Sequence, residues 1–326
     1  MKVHILDDWY DTLRGLPCFA KLKGHDVTVW TDHVEDVDIL ADRLADAEAV
    51  CLFRERTAIR APLIARLPRL QLVSQRSVYP HIDVDALTAQ GVLLCSSQHA
   101  DTPSFATAEL TWALILAAMR QIPQQAASLK AGGWQMGVGR SIRGRTLGLY
   151  GYGRIARAVA DYAKAFGMPV IWWASPDGRA RAAADGVTVA ASRDAFFREA
   201  DIVSVHVRLK PATMGLITAA DLAAMRADAL FVNTSRAGLV ASGALLAALR
   251  AGRPGKAAID VFEAEPLTDP DDPLLACPNL LATPHIGYVT EDEYNLQFTD
   301  IFDQINAFAA GAPINVINPE AARGGA

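Results

Sequence analysis

The run GYGRIA at Gly151–Ala156 constrains this chain more than any other feature. It follows an apolar segment of strand length, Leu147 to Tyr150, and opens a helix-length segment, Arg154 to Phe166, that stops at Gly167. A strand that turns on glycine directly into a helix can cradle a dinucleotide. Gly151 permits the tight turn, Gly153 lets backbone amides approach a pyrophosphate, and Ala156 is small where helix meets strand. Tyr152, Arg154 and Ile155 complete the turn and are expected to lie against the same cofactor. The match would be weak in isolation and gains its weight from the alternating pattern around it.

That pattern runs through most of the chain. Short β-rich runs at Val3 to Leu6, Val27 to Trp30, Ala49 to Phe53, Leu70 to Ser74 and Val92 to Cys95 are separated by helix-length segments. Such near-continuous apolar strands suit a parallel sheet covered on both faces. Asp101 to Pro103 then open a helical pattern through Ala117, with Asp101 or Thr102 as cap. The glycine-broken stretch Ala131 to Arg145 reads as a surface connection. A second series follows: strands Leu147 to Tyr150, Val170 to Trp173, Ile202 to Val205, Leu230 to Asn233, Ala257 to Val261 and Asn279 to Ala282. Helices Ala219 to Met225 and Ser242 to Ala251 lie between them. The expected fold is α/β, with two doubly wound parallel-sheet domains of Rossmann or flavodoxin-like type joined by two crossing helices. One domain takes residues 1–100 and 287–326, the other 101–286, with the helix from Glu291 to Ala309 returning to the first. The tail Ala321 to Ala326 is expected to fray.

A length of 326 residues, more than one core usually fills, agrees with two domains. The net charge of -5 and the absence of like-charge runs exclude nucleic acid and anionic membrane as expected partners. Asp7 and Asp8 cut short the N-terminal apolar run, and Leu110 to Met119 is too short to span a bilayer, so a cytoplasmic location is expected. Cys18, Cys51, Cys95 and Cys277 are far apart and read as small buried hydrophobes. No metal-ligand spacing is present, and His81 and His99 read as structural.

The cofactor reading carries one irregularity. NAD sites place a carboxylate at the end of the second strand, to bind the adenine ribose. Here that strand continues VIWWASPDG, with Ala174 and Ser175 at the position. Ser175, Arg179 or Arg181 can hold a ribose phosphate, which would admit NADP. Alternatively Asp177 substitutes from the loop and the arginines are solvated. NAD or NADP is therefore expected.

Three segments at later strand ends carry candidate chemistry: NTSRAG at Asn233–Gly238, DVFEAEP at Asp260–Pro266 and TPHIG at Thr283–Gly287. The planar fork of Arg236 can hold a carboxylate, His285 can move a proton near neutrality, and Glu265 can hold that histidine in its working state. Each alone has an ordinary structural explanation; successive strand ends would bring all three together.

With GYGRIA before them and HVRLKPATMGLI from His206 to Ile217 between, these segments resemble the D-isomer-specific 2-hydroxyacid dehydrogenase family over nearly the whole chain. The resemblance implies reduction of a small 2-oxo acid to a D-2-hydroxy acid by NADH or NADPH. Arg236 would be the substrate arginine, His285 the acid/base and Glu265 its partner carboxylate, raising the histidine pKa. Residues 1–100 and 287–326 would form the substrate (catalytic) domain and 101–286 the dinucleotide-binding domain. Asp260 would face the nicotinamide, and Thr107 in FATAEL, His206, Thr213 and Thr234 would lie near the cofactor. The family holds the substrate carboxylate on amides of a glycine-rich loop after the fourth strand; this chain has SQRSVYPHID there. Ser77 and Val78 occupy the matching turn, and Arg76 either lines the pocket or pairs with a carboxylate. Tyr79, Arg54, Arg56, Trp9 and Tyr10 are further candidates. Ala237, for a usual glycine, and the bulky Trp172 and Trp173 are departures that remove no reacting group.

A homodimer through the cofactor domain is implied, with the Leu110 to Met119 helix contributing. Glu265 speaks against a formate enzyme, which has glutamine there, and the lack of a regulatory domain after residue 310 against the longer phosphoglycerate enzymes. The alternatives are a phosphite-type dehydrogenase and an NAD(H)-sensing, corepressor-like interaction protein on the same fold.

Overall fold

A computed structural model describes residues 1–98 and 105–323. The expected cap at Asp101 to Pro103, His99 and residues 324–326 of the tail lie outside the described residues. The chain divides into two compact units, Met1–Pro103 with Thr290–Ala326, and Ser104–Val289. Each contains one parallel sheet.

In the first unit the elements are β1 (Lys2–Ile5), β2 (Asp26–Val29), α1 (Val37–Arg43), β3 (Ala49–Cys51), α2 (Ala61–Ile64), β4 (Leu72–Arg76), α3 (Val84–Ala89) and β5 (Leu93–Ser97). The sheet order is β2-β1-β3-β4-β5, every pair parallel. Strands β3 and β4 are buried along their whole length, which is why β3 reads as an unbroken apolar run, while β4 carries Ser74, Gln75 and Arg76 into the interior. Asp36 and Asp83 cap α1 and α3 with their carboxylates, satisfying amides that a helix start leaves orphaned.

The helix Glu291–Ala309 also belongs to this unit. Thr290 caps it, and Glu291, Asp292 and Glu293 in its first turn complement the helix dipole. Tyr294, Phe298, Ile301, Phe302 and Ile305 recur on one face and are buried, with Phe298 stacked on Phe53 at 5.0 Å. Burying each such side chain contributes about 1.5–3 kcal/mol. Gln304 donates to Ser74 Oγ and to the Gln75 carbonyl, which ties the helix to β4 of the sheet. Contrary to the expected fraying, Ala321 is buried in a 3-10 turn, Pro319–Arg323.

The second unit contains α4 (Ala106–Arg120), α5 (Ile122–Lys130), β6 (Leu147–Tyr150), α6 (Arg154–Ala165), β7 (Val170–Trp173), α7 (Pro176–Ala184) and α8 (Arg193–Glu199). It continues with β8 (Ile202–Val205), α9 (Ala219–Ala224), β9 (Leu230–Asn233), α10 (Ala244–Ala251), β10 (Lys256–Ile259) and β11 (Leu280–Ala282). The long helix of the first unit is α11 (Glu291–Ala309). The sheet order is β11-β10-β9-β8-β6-β7, again parallel. Because β6 lies between β7 and β8, sheet growth reverses there, and ligands of open α/β sheets bind at the carboxyl ends of such strands. One face is packed by Trp112, Ile115, Met119, Val159 and Ala163, the other by Phe196, Phe197, Leu222 and Leu249.

Three helices of this unit escape the sequence reading. Gln121 takes a left-handed conformation, φ 56°, and ends α4 so that α5 starts anew. The PDG sequence of α7 suggests a turn, yet Ser175 caps it and Pro176 occupies its first position, a start signal that was available. The seven-residue α8 is too short to show a clear period, although Ser192 caps it.

Candidate active site

The glycine turn sits at the end of β6. Gly151 has φ 117°, and a Cβ built there would lie 2.2 Å from the His206 carbonyl oxygen. That carbonyl cannot easily retreat, since the His206 amide donates to Tyr150 O at 2.8 Å and closes the β6–β8 ladder. At Gly153, by contrast, a Cβ would meet nothing within 4 Å. Gly153 is the N-cap of α6, whose first turn has neither a side-chain cap nor an acidic residue. Amide donors and open space therefore coincide where a pyrophosphate would lie, and the cradle fits a dinucleotide.

Several expected cofactor residues have structural duties here. Tyr152 donates its hydroxyl to Asp185 at 2.6 Å and packs edge-on to Trp172 beneath the Arg157 guanidinium. Thr213 spends its hydroxyl inside its own loop, donating to Arg208 O and accepting from the Lys210 amide. His206 pairs Nε2 with Ser204 Oγ at 2.9 Å, and burial pushes its pKa down to about 4, so it is neutral at physiological pH. At the end of β7 no carboxylate is present before the exposed Asp177. Arg179 lies over Trp173 and donates to Ala174 O at 2.7 Å.

The reacting candidates gather at the ends of β9, β10 and β11. Asn233, the last residue of β9, accepts from the Ser235 amide and donates to the Arg236 carbonyl, folding the loop that carries Arg236. An asparagine at a strand end before Thr-Ser is an Asx-turn signal that the sequence reading overlooked. Arg236 donates from its guanidinium to Ser235 O at 2.8 Å.

Asp260, just past β10, is fully buried. Its Oδ1 accepts from Thr283 Oγ1 at 2.6 Å and from the Ile286 amide at 2.8 Å, and its Oδ2 from the Gly287 amide at 2.8 Å. The family resemblance implied a nicotinamide-facing role; the structure adds that this carboxylate holds the turn carrying His285. Burial raises its pKa, and the three hydrogen bonds and the nearby His285 offset this only in part.

His285 takes φ 53°, a conformation uncommon for a side-chain-bearing residue. That turn brings Nδ1 to 2.5 Å from Glu265 Oε2, while Glu265 Oε1 accepts from the Phe262 amide at 2.8 Å. Burial pushes Glu265 up, but the hydrogen bond and charge of His285, the Phe262 amide and Arg236 outweigh it and hold the carboxyl below its ordinary value. The carboxylate is thus ionised beside the imidazole, and Arg236 is close enough to be felt by the pair. Nε2 of His285 has no protein partner among the described residues.

In the first unit the expectations need correction. Arg76 is buried and pairs through Nε with Asp300 at 3.1 Å, so of its two readings the ion pair is the one observed. Ser77 adopts φ 81°, a left-handed conformation that glycine takes more readily, and its amide donates to Ser97 O. Among the described residues the amides of Val78 and Tyr79 have no acceptor, whereas that of Ser77 is already bonded. Arg56 stacks on Trp9 at 3.9 Å and donates to Asp7 O; Arg54 lies 3.7 Å from Glu293. Tyr10 is exposed. The four cysteines are free and buried. His81 is buried with no partner on either ring nitrogen, and burial lowers its pKa to about 4. No helix among the described residues is long and apolar enough to cross a membrane.

A dinucleotide cradle at a sheet switch point, with ionisable groups on the neighbouring strand ends, defines the class of an NAD-binding oxidoreductase. Residues 112–287 match the model of the D-isomer specific 2-hydroxyacid dehydrogenase, NAD binding domain. The chain is 36% identical to glyoxylate reductase of Aeropyrum pernix, with 91% of each chain covered. It is also 36% identical to D-3-phosphoglycerate dehydrogenase of Methanocaldococcus jannaschii, covering 86% of this chain and 53% of that one. It thus spans about half the length of that relative. A crystal structure of phosphoglycerate oxidoreductase from Vibrio cholerae O395 superposes with TM-score 0.90 at 45% identity, covering 96% of this chain and 100% of the other. The chain belongs to the D-isomer specific 2-hydroxyacid dehydrogenase family.

Proposed function

We propose that the protein reduces a small 2-oxo acid to the D-2-hydroxy acid, with Arg236, His285 and Glu265 as its reacting groups. The observation that carries this reading is the 2.5 Å contact of His285 Nδ1 with an ionised Glu265, which leaves Nε2 for proton exchange. The cofactor supplies the hydride. Arg236 holds the 2-oxo oxygen and one carboxylate oxygen in its fork, drawing electron density from C2. His285 delivers the Nε2 proton to the alkoxide oxygen, and takes it back in the oxidative direction. Glu265 accepts from Nδ1 and fixes the orientation of the ring.

Glyoxylate and hydroxypyruvate are the first substrates to test, since relatives carry the names glyoxylate reductase and glyoxylate/hydroxypyruvate reductase B. The absence of a carboxylate at the end of β7, with Ser175, Arg179 and Arg181 following, supports acceptance of NADPH beside NADH. Residues 1–100 and 287–326 serve the substrate in this reading and residues 101–286 the cofactor, with Thr107, Thr234 and Asp260 near the nicotinamide end. A cytoplasmic homodimer is the proposed form. Exposed Ile122, Leu129, Trp134, Met136 and Val138, on and after α5, support a partner on that face of the second unit.

Initial rates on a panel of 2-oxo acids with both reduced cofactors test the reading. His285→Ala should lower kcat by about 10²–10⁴-fold with cofactor affinity retained; near-normal turnover would refute the assignment.

A further inference from the structure

Thr111 has no part in the chemistry above, yet its hydroxyl connects the two loops that carry it. It is fully buried in α4, donates to Thr107 O at 2.7 Å and lies 2.7 Å from Thr234 Oγ1. Its one proton is spent on the Thr107 carbonyl, so in the second contact Thr234 is the donor and Thr111 the acceptor. Thr234 stands two positions before Arg236. One helical turn earlier, Thr107 Oγ1 donates to Gly287 O at 2.9 Å, two positions after His285, and the Gly287 amide donates to Asp260. A Cβ on Gly287 would lie 3.1 Å from Asp260 Oδ2 and 3.5 Å from Thr107, so this junction is closely packed. The arginine loop and the histidine turn therefore hang from one helical turn of α4 through an unbroken run of hydrogen bonds.

We propose that Thr111 and Thr107 are positioning residues that hold Arg236 and His285 in mutual register through Thr234 and Gly287. The inference rests on the reacting roles given above to those two side chains. Oxo-acid reduction needs the polarising fork and the proton donor on the same oxygen together, and displacements near 1 Å are costly to such reactions. A threonine inside a helix that bonds back to the carbonyl four residues earlier gains the helix nothing. Its second contact, to another loop, gives the hydroxyl its purpose.

The variants are Thr111→Val, which keeps the shape and removes the hydroxyl, and Thr111→Ser, which keeps the hydroxyl. With glyoxylate and NADH, Thr111→Val should lower kcat by about ten- to a hundredfold, chiefly in kcat rather than KM, while NADH affinity stays within about twofold. Thr111→Ser should recover most of the rate, an outcome that a purely packing role would not give. Amide exchange should quicken in residues 233–238 and 283–287 together. Adding Thr107→Val should cost less than the product of the two single losses, because both cut one chain of bonds. Should Thr111→Val fail to fold, Thr234→Val breaks the same link from the other side and should give the same loss of kcat and the same joint quickening of amide exchange in residues 233–238 and 283–287. Wild-type kcat in the valine variant, independent losses, or exchange confined to one of the two segments would overturn the proposal. A wild type that turns over no 2-oxo acid would remove the proposed function and with it the catalytic meaning of the link. Normal wild-type turnover with an unimpaired valine variant would remove this inference alone.

Discussion

The two glycines of the cofactor turn should respond to the same substitution in opposite ways. Gly151→Ala places a methyl group 2.2 Å from the His206 carbonyl oxygen, which would have to retreat by roughly 1 Å to reach ordinary contact at 3.4 Å. The φ of 117° is also one that an alanine rarely adopts. Backbone strain costs about 1–2 kcal/mol and overpacking about 1–3 kcal/mol, so the expected loss is about 2–5 kcal/mol. For a unit of this size that lowers Tm by roughly 4–20 °C. Gly153→Ala meets neither obstacle, because its φ is -113° and no atom lies within 4 Å. Its stability should stay within about 0.5 kcal/mol of wild type. The new methyl group would occupy the space through which a pyrophosphate reaches the α6 amides, and NADH affinity should fall at least about tenfold. Thermal melts and NADH fluorescence titration of both variants provide the assay. A Gly151→Ala protein that melts with the wild type would refute the steric argument. A Gly153→Ala protein that binds NADH normally would refute the placement of the cofactor.

Glu265→Gln should keep an acceptor for His285 Nδ1 but lose the charge, lowering kcat about tenfold while NADH affinity is retained; stopped-flow reduction of glyoxylate measures this. Folding stability should fall in acid. His206 and His81 are held neutral by burial, so the unfolded chain takes up their protons first as the pH drops through 6.5. The loss develops down to about pH 4 and reaches about 3 kcal/mol per histidine. Glu265, held low, adds a further loss as the pH falls from the ordinary glutamate value towards its folded one. Asp260, raised, offsets part of it, since there the folded chain binds the proton first. Urea unfolding at pH 7.5 and pH 4.5 checks the sum, and equal stabilities would contradict it. In the first unit, Phe298→Ala removes the ring stacked on Phe53 and should cost about 3–5 kcal/mol in the same assay.

Much of this molecule could be read from its sequence because the signals are local. The eleven strands among the described residues were each anticipated from short, mostly apolar runs, since parallel strands covered on both faces need little polar alternation. Their ends shifted by a residue or two, as at Leu72–Arg76. The helices that escaped were those whose caps and proline starts count for more than their period, α5, α7 and α8. The residues proposed to react were chosen by type and by position after strands, which is all that spacing conveys.

What spacing could not convey is which atoms meet. Chain order alone brings Arg236, Glu265 and His285 to adjacent strand ends and makes Gly151 a turn residue. Only the folded chain decides that the Asp260 carboxylate is spent on the backbone around His285, that the Arg76 charge is paired with Asp300, and that the Ser77 amide is already bonded to Ser97. It also decides that Thr111 reaches Thr234, a residue far away in sequence. The reason is physical: strand and helix formation follow from short-range patterns of apolarity and capping. A buried hydrogen-bonding group is satisfied by whatever partner the tertiary fold delivers to it.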